Sequence, residues 1–274
     1  MREYKHERKN DMRKIAFFDI DGTLTSEVDG SIPQSAVDAI RAARAHGNLM
    51  FLNTGRCFQN VEMRFRNVGF DGYVCGCGTN IYCGRKEILY KPQPHDVIMK
   101  IVKRARETGV NLLLESRDMV AFDLERPLTH PDAIRQYEAF VARGYDMPTD
   151  FSDHEFTCDK FVIWLLEPEQ LAAFREVSDL YFTCIDRGGT FREFVPHGYS
   201  KSTGLQYVLD YYGIPLENAY AFGDSNNDLP MLSYVPNSVA MGNSRPESLK
   251  GQVAYVTANA SCDGIKLALE HFLF

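Results

Sequence analysis

Ile15-Ala16-Phe17-Phe18-Asp19-Ile20-Asp21-Gly22-Thr23-Leu24 runs four apolar residues into two carboxylates and a glycine. Such a run, closed by Asp and Gly, reads as a buried strand ending in a tight turn, with Asp19 and Asp21 at its carboxyl end. The same grammar follows downstream. A helix is expected from Pro33 through Val37 and Ile40 to Gly47 as its stop, then a strand over 49–52 that ends on Asn53-Thr54-Gly55-Arg56. A further helix between Asn60 and Asn67 leads to a short strand near Tyr73 and Val74. After Ser200, Leu205, Val208, Leu209 and Tyr212 fall on one helical face, and Gly213 and Pro215 end that helix. Residues 219–222 close on Gly223-Asp224, and 238–241 and 253–257 read as later strands of the same sheet. Both ends of the chain therefore build one α/β domain around a parallel sheet.

Between about 84 and 194 the rhythm changes. A helix over 94–108 precedes a strand pair at 112–114 and 120–122, then a helix at 131–143 and a strand at 161–166. A helix at 168–180 and strands at 182–185 and 191–195 complete the segment. That order suits an antiparallel or mixed sheet covered by helices, inserted into the first domain. The expected division is a polar N-terminal arm at 1–11, a core from 12–83 and 195–274, and a cap at 84–194.

The chain has 274 residues, 45% hydrophobic and 24% charged, which excludes disorder and collagen and permits a large core. A net charge of −7 and a pI of about 5.5 argue against nucleic acid as a partner. The purest apolar run, 161–166, is far short of the roughly 20 residues a membrane span needs. Residues 1–12 lack the apolar stretch of a secretory signal, so the expected address is the cytoplasm. Seven cysteines without a Cys-x-x-Cys pair read as reduced thiols, and Cys75, Cys77 and Cys83 have no fourth ligand at a zinc spacing.

Four polar clusters each follow a strand or open a helix: Asp19-Ile20-Asp21-Gly22-Thr23, Asn53-Thr54-Gly55-Arg56, Ser200-Lys201, and Gly223-Asp224-Ser225-Asn226-Asn227-Asp228. In an open parallel sheet the carboxyl ends of strands face one crevice, where distant clusters can meet. Together they supply what phosphoryl transfer requires. Asp19 and Asp224 can hold Mg2+, a hard ion that takes oxygen ligands. Asp19 is ionised at neutral pH without an activating base, which suits a nucleophile. Asp21, beside another carboxylate, is expected to hold its proton more tightly and to serve as general acid and then base. Gly22 lets backbone amides face a phosphate, Thr54 offers a hydroxyl and an amide, and Lys201 offsets charge on the transferring group. Asn227 can donate to phosphate, while Asp228 can hold a metal-bound water or orient Lys201.

These residues resemble the haloacid dehalogenase (HAD) superfamily of Mg2+-dependent phosphatases, in particular its Cof-type sugar-phosphatase branch with a C2-type (IIB) cap. Phe17-Phe18-Asp19-Ile20-Asp21-Gly22-Thr23-Leu24 is similar to the family's first motif, Thr54-Gly55-Arg56 to its second, Ser200-Lys201 to its third, and Gly223 through Asp228 to its fourth. Ala240-Met241-Gly242-Asn243 and Asp263-Gly264-Ile265 are similar to further stretches of this branch. The resemblance covers nearly the whole chain. It implies a Rossmann-like core, a large α/β cap between the second and third motifs, and a phosphoaspartyl intermediate on Asp19. It also implies Mg2+ held by the Asp19 carboxylate, the Asp21 backbone carbonyl and Asp224. Phosphate would contact the Ile20 amide, Thr54, Gly55, Lys201 and Asn227. The chain departs from the branch at Cys77-Gly78-Thr79-Asn80, where Asn-Gly-Ala is usual, and at Ser200-Lys201-Ser202, where Ser-Lys-Gly is commoner.

Competing motif readings fail on spacing. Asp224-x-Asn226-x-Asp228 opens like a calcium loop, but Leu229 and Val235 stand where its Gly and Glu belong. Gly76-Cys77-Gly78 begins like a dinucleotide fingerprint, yet Ile81 takes the third glycine's place. Arg56 reads equally as an ion-pair partner or a ligand, Trp164 reads as cap core, and Lys160, Arg192 and Glu193 are cap charges that can reach a substrate. The expectation is a phosphatase of a small phosphorylated metabolite such as a sugar phosphate, acting as a monomer or homodimer. A phosphomutase and a catalytically idle metabolite sensor are the rival readings. The identity of the ester rests on cap geometry that periodicity does not resolve.

Overall fold

The computed structural model describes residues 13–151 and 156–274, so the expected arm at 1–11 lies outside the described residues. Strand β1 (Ile15–Phe18) is buried at every position and lies parallel to β2 (Leu49–Asn53) and β11 (Ala219–Ser225). Successive side chains on a strand face opposite sides, so Phe17 and Phe18 enter different cores. Phe18 packs with Ile40 and Ile265 beneath α1 (Gln34–Ala45) and α8 (Gly264–His271). Phe17 packs with Leu205, Val208 and Met231, carried by α6 (Lys201–Tyr212) and α7 (Leu229–Leu232). A strand buried on both faces needs a continuous apolar run, which is why 15–18 carries no charge.

The eight-stranded sheet has the order β13-β12-β11-β1-β2-β3-β4-β5. Strands β3 (Gly72–Cys75), β12 (Asn237–Arg245) and β13 (Tyr255–Val256) extend the parallel set. The chain steps one way from β1 through β2 to β3 and returns on the other side at β11, so the order reverses beside β1. A crevice opens at such a switch point, at the carboxyl ends of the strands. β4 (Asn80–Cys83) and β5 (Lys86–Tyr90) then add an antiparallel hairpin. The core sheet thus reaches past the boundary expected at 84. β5 is a half-exposed edge strand that opens on Lys86 and Glu87, too polar to stand out in the sequence. The helix expected between Asn60 and Asn67 shrinks to the single turn α2 (Met63–Arg66).

A second sheet, entirely antiparallel, has the order β7-β6-β8-β10-β9. Its strands are β6 (Asn111–Glu115), β7 (Val120–Phe122), β8 (Lys160–Trp164), β9 (Phe182–Asp186) and β10 (Phe191–Pro196). Helices α3 (His95–Thr108) and α5 (Glu169–Ser178) cover one face, where Ile98, Ile101 and Phe174 meet Phe161 and Phe194. On the other face Leu113, Val162 and Trp164 pack with Phe140 of α4 (Pro131–Ala142). Cys57 of the first sheet's loops joins that cluster, so this face turns toward the crevice. Among the described residues no helix is long and apolar enough to cross a membrane. Cys57, Cys75, Cys77, Cys83 and Cys158 are buried free thiols, and burial pushes their pKa values up.

Candidate active site

Asp19 leaves β1 with its N–H on the Phe222 carbonyl at 3.0 Å. Beyond it the chain winds into a tight loop closed by Thr25, whose N–H and hydroxyl both donate to the Ile20 carbonyl at 2.9 and 3.0 Å. Gly22 sits in this loop at φ +81°, and a Cβ there would lie 2.4 Å from Asp224 Oδ2. Only glycine permits both that backbone and that approach of the first cluster to the fourth. Asn243 of β12 fastens the loop, its Nδ2 donating to the Gly22 carbonyl at 2.7 Å while its Oδ1 accepts from Ala260 N–H at 2.9 Å. The sequence marked Asn243 within a stretch but gave it no task.

Lys201 opens α6, and its position is fixed by a capping box. The Ser200 hydroxyl accepts from Thr203 N–H at 3.2 Å, and Ser200 N–H donates to Thr203 Oγ1 at 2.9 Å. Ser202 bonds the same Ser200 hydroxyl, so the departure from the family's usual glycine keeps the turn. Asn53 Nδ2 donates to the Lys201 carbonyl at 2.9 Å and ties the helix to the end of β2. Lys201 Nζ then donates to Asp19 Oδ1 and Asp228 Oδ1, each at 2.5 Å. Burial opposes its charge, but these two carboxylates hold its pKa above the ordinary lysine range. Asp228 Oδ2 accepts from the N–H groups of Asp224 and Ser225 at 3.0 and 3.1 Å. Of the two tasks the sequence left open for Asp228, the geometry displays the orientation of Lys201.

Asp19, Asp224 and Asp228 each offer a carboxylate oxygen within 4.8 Å of the others. Burial, then the charge of Asp228, pushes Asp19 up to about 6 despite Lys201. Burial, then the charges of Asp19 and Asp228, pushes Asp224 up to about 8. Carboxylates crowded in this way are the donor set a hard divalent cation relieves. Asp228 has already committed both oxygens. Among the described residues Asp19 Oδ2 and Asp224 Oδ2 accept no hydrogen bond, which leaves those two side chains to face an ion.

Asp21 is held by Arg56, with Nη2 to Oδ1 at 2.7 Å and Nε to Oδ2 at 3.1 Å. This pairing with Arg56 is a partner that sequence spacing did not contain. Arg56, which also pairs with Glu62 at 3.2 Å, is the ion-pair partner of the two readings left open. Thr54 is buried, and its Oγ1 accepts from Arg56 N–H at 3.1 Å. Ile20, the next residue after Asp19, is fully buried. Asn227 Oδ1 accepts from the Ser225 hydroxyl at 2.5 Å, and its Nδ2 makes no hydrogen bond among the described residues.

A cavity of about 140 Å³ separates these residues from the second sheet. Asp19, Asp21, Thr54, Gly55 and Asn227 line it from the core, and Leu113, Val162, Trp164, Phe191 and Arg187 from the cap. Trp164 is stacked on Phe122 at 5.8 Å and also faces the cavity, so it is both cap core and wall. Lys160 Nζ donates to Glu115 Oε2 at 2.5 Å and to the Gly55 carbonyl at 2.8 Å, and pairs with Glu193 Oε1 at 2.8 Å. Burial opposes ionisation of Glu193, but Lys160 and Arg187 pull it down to about 2. Of the three cap charges expected to reach a substrate, Lys160 and Glu193 line the cavity, whereas Arg192 is spent on Asp186 and the Gly189 carbonyl. The sequence missed Glu115 and Arg187. Glu115 directly follows the apolar run at 112–114, a signal that was available; Arg187 lies in a hairpin turn, where nothing distinguishes it from a solvated charge.

Residues 16–269 match the model of the haloacid dehalogenase-like hydrolase family, and the chain belongs to that family. Its fold and site define a hydrolase built as the phosphatases of that superfamily are built, with a subclass IIB cap. The chain is 29% identical over 263 residues to the Bacillus subtilis protein YkrA, covering 94% of this chain and 96% of the relative. It is 28% identical over 268 residues to the 5-amino-6-(5-phospho-D-ribitylamino)uracil phosphatase YitU of the same organism, covering 93% and 95%. Among solved structures, the subclass IIB sugar phosphatase BT4131 superposes with a TM-score of 0.79 at 27% identity, over 94% of this chain and 98% of that one.

Proposed function

We propose that the protein is a Mg2+-dependent phosphatase that removes phosphate from a small phosphorylated metabolite through an aspartyl-phosphate on Asp19. The observation that carries this reading is Lys201 Nζ, buried at 2.5 Å from both Asp228 and Asp19, where Asp19 lines the capped cavity and Asp224 stands alongside. Mg2+, held by Asp19, the Asp21 carbonyl and Asp224, supplies positive charge against the phosphoryl oxygens when bound.

The chain's own residues do the rest. Lys201 and the Asn227 amide draw the phosphoryl group onto Asp19, with the Thr54 hydroxyl and the Ile20 and Gly55 amides as further donors. An Asp19 oxygen forms a bond to phosphorus as the ester P–O bond breaks, and Asp21 gives its proton to the leaving oxygen. Asp21 then takes a proton from water, the water oxygen attacks phosphorus, and the bond to Asp19 breaks to release phosphate. To serve in this way Asp21 exchanges its pairing with Arg56 for the substrate. The cap excludes water during transfer.

The substrate is a soluble ester of small size: the cavity between core and cap is about 140 Å³, and the chain carries a net charge of −7. The names of YitU and BT4131 support phosphorylated ribityl or sugar compounds as the first panel to try. The test is phosphate release from such a panel, with Mg2+ or EDTA, for wild type and Asp19→Asn. Release that needs both Mg2+ and Asp19 is expected. An isomerised ester in place of free phosphate, or tight ester binding without turnover, would overturn the reading.

A further inference from the structure

Arg187 lies in the turn between β9 and β10 and lines the cavity together with Asp19, Gly55 and Asn227. It also lines a second depression with Asn226 and Asn227, so its guanidinium stands on the side of the phosphoryl site that the cap approaches. Its one ion pair among the described residues is with Glu193 Oε2 at 3.6 Å, too long for a hydrogen bond. The other cations of this cavity are committed. Lys160 spends its donors on Glu115, Glu193 and the Gly55 carbonyl, and Arg56 spends its own on Asp21 and Glu62. Among the described residues Arg187 therefore carries five N–H donors with no hydrogen-bond acceptor, on a side chain only 27% exposed. Burial works against its charge, while Glu193, Asp19 and Asp228 sustain it.

A planar fork of unspent donors beside a site that takes a dianion has a fitting occupant, because guanidinium geometry matches phosphate oxygens two at a time. We infer that Arg187 is the cap's share of the phosphoryl site, donating to non-bridging oxygens of the phosphoryl group held over Asp19. This rests on the phosphatase reading of Asp19, Lys201 and Asn227. It adds to the direct cap–core contact of Lys160 with the Gly55 carbonyl a bridge that forms only through the phosphoryl group, whatever the leaving group.

The test uses the full chain with Mg2+ and inorganic phosphate as the probe, titrated calorimetrically into wild type, Arg187→Gln and Arg187→Lys. Phosphate affinity is expected to fall about 10- to 100-fold in Arg187→Gln and to be partly recovered in Arg187→Lys, as for loss of a charge-assisted hydrogen bond. Catalytic efficiency is expected to fall by a similar factor for every ester, whatever its leaving group. Unchanged phosphate affinity in a folded Arg187→Gln overturns the inference. A loss confined to esters with a second anionic group also overturns it, assigning Arg187 to the leaving group. Turnover with phosphate affinity unmoved by the substitution sinks this inference and leaves the phosphatase reading standing. Weakened phosphate binding in a protein that cleaves no ester does the reverse.

Discussion

Thr79 Oγ1 and Asp159 Oδ2 lie 2.5 Å apart where the core meets the cap, both fully buried. Thr79 Oγ1 is also 3.0 Å from the Gly76 carbonyl. A hydroxyl has one proton to give, so when Thr79 donates to Gly76, Asp159 must be the donor of the shorter bond. The neighbours agree: burial pushes Asp159 up to about 7, against Thr79 and Lys160, which lower it, and with Glu115, which raises it.

A pH dependence follows. The folded chain keeps a proton on Asp159 that the unfolded chain releases above about pH 4, so this group's contribution falls as pH rises to about 7 and is flat beyond. Asp159→Asn keeps a donor for Thr79 without the cost of ionisation. It is expected to stabilise the protein at pH 8 by on the order of 4 kcal/mol and to flatten its stability between about pH 4 and 7. Thermal melts across that range check it; an unchanged slope would contradict the protonated state.

Gly55 faces Glu193 so closely that a Cβ would lie 2.8 Å from Oε1, and its carbonyl accepts from Lys160. Gly55→Ala should therefore push the cap off the phosphate loop while leaving both cores intact. Catalytic efficiency is expected to fall about 10- to 100-fold, as for misplacements of about 1 Å, with a near-native melting temperature. Full activity would mean that this contact is not kept during turnover.

Lys201→Met would leave Asp19 and Asp228 facing each other beside Asp224 with no cation among them. Removing one partner from a buried ion pair costs roughly 3–5 kcal/mol, so a lower melting temperature is expected without added metal. Turnover should fall about 100-fold or more, as when a preorganised electrostatic donor is lost. Adding Asp228→Asn should restore part of the stability and none of the activity. A double variant no more stable than Lys201→Met would contradict the charge account.

The fold was legible wherever one physical signal dominated. The run at 15–18 had to be buried on both faces, and Leu205, Val208 and Leu209 had to share a helical face. Short or polar elements escaped. β5 begins on Lys86 and Glu87 at a sheet edge, and α2 is a single turn whose buried residue is Phe65. That the four polar clusters meet was legible because three of them end strands that converge and Ser200-Lys201 opens a helix beside them. Their partners were not: the Arg56 pairing with Asp21, the Asn243 hold on Gly22 and the Glu193 approach to Gly55 join residues 35, 221 and 138 positions apart, and no local pattern records them.

Gly22→Ala tests the approach of the first and fourth clusters. The new methyl would meet Asp224 Oδ2 at 2.4 Å on a backbone that already strains any side chain. The Mg2+ concentration needed for half-maximal activity is expected to rise at least about tenfold, a loss of roughly 1.4 kcal/mol in metal affinity. An unchanged Mg2+ requirement would remove Asp224 from the proposed ligand set.

The most direct measurement is to quench wild-type protein with acid during turnover of a cleaved ester, reduce with tritium-labelled borohydride, and map the peptides. The account predicts label on the peptide containing Asp19 and its conversion to homoserine at that position, with neither in Asp19→Asn. Turnover with no labelled peptide, or label on any other residue, would contradict it.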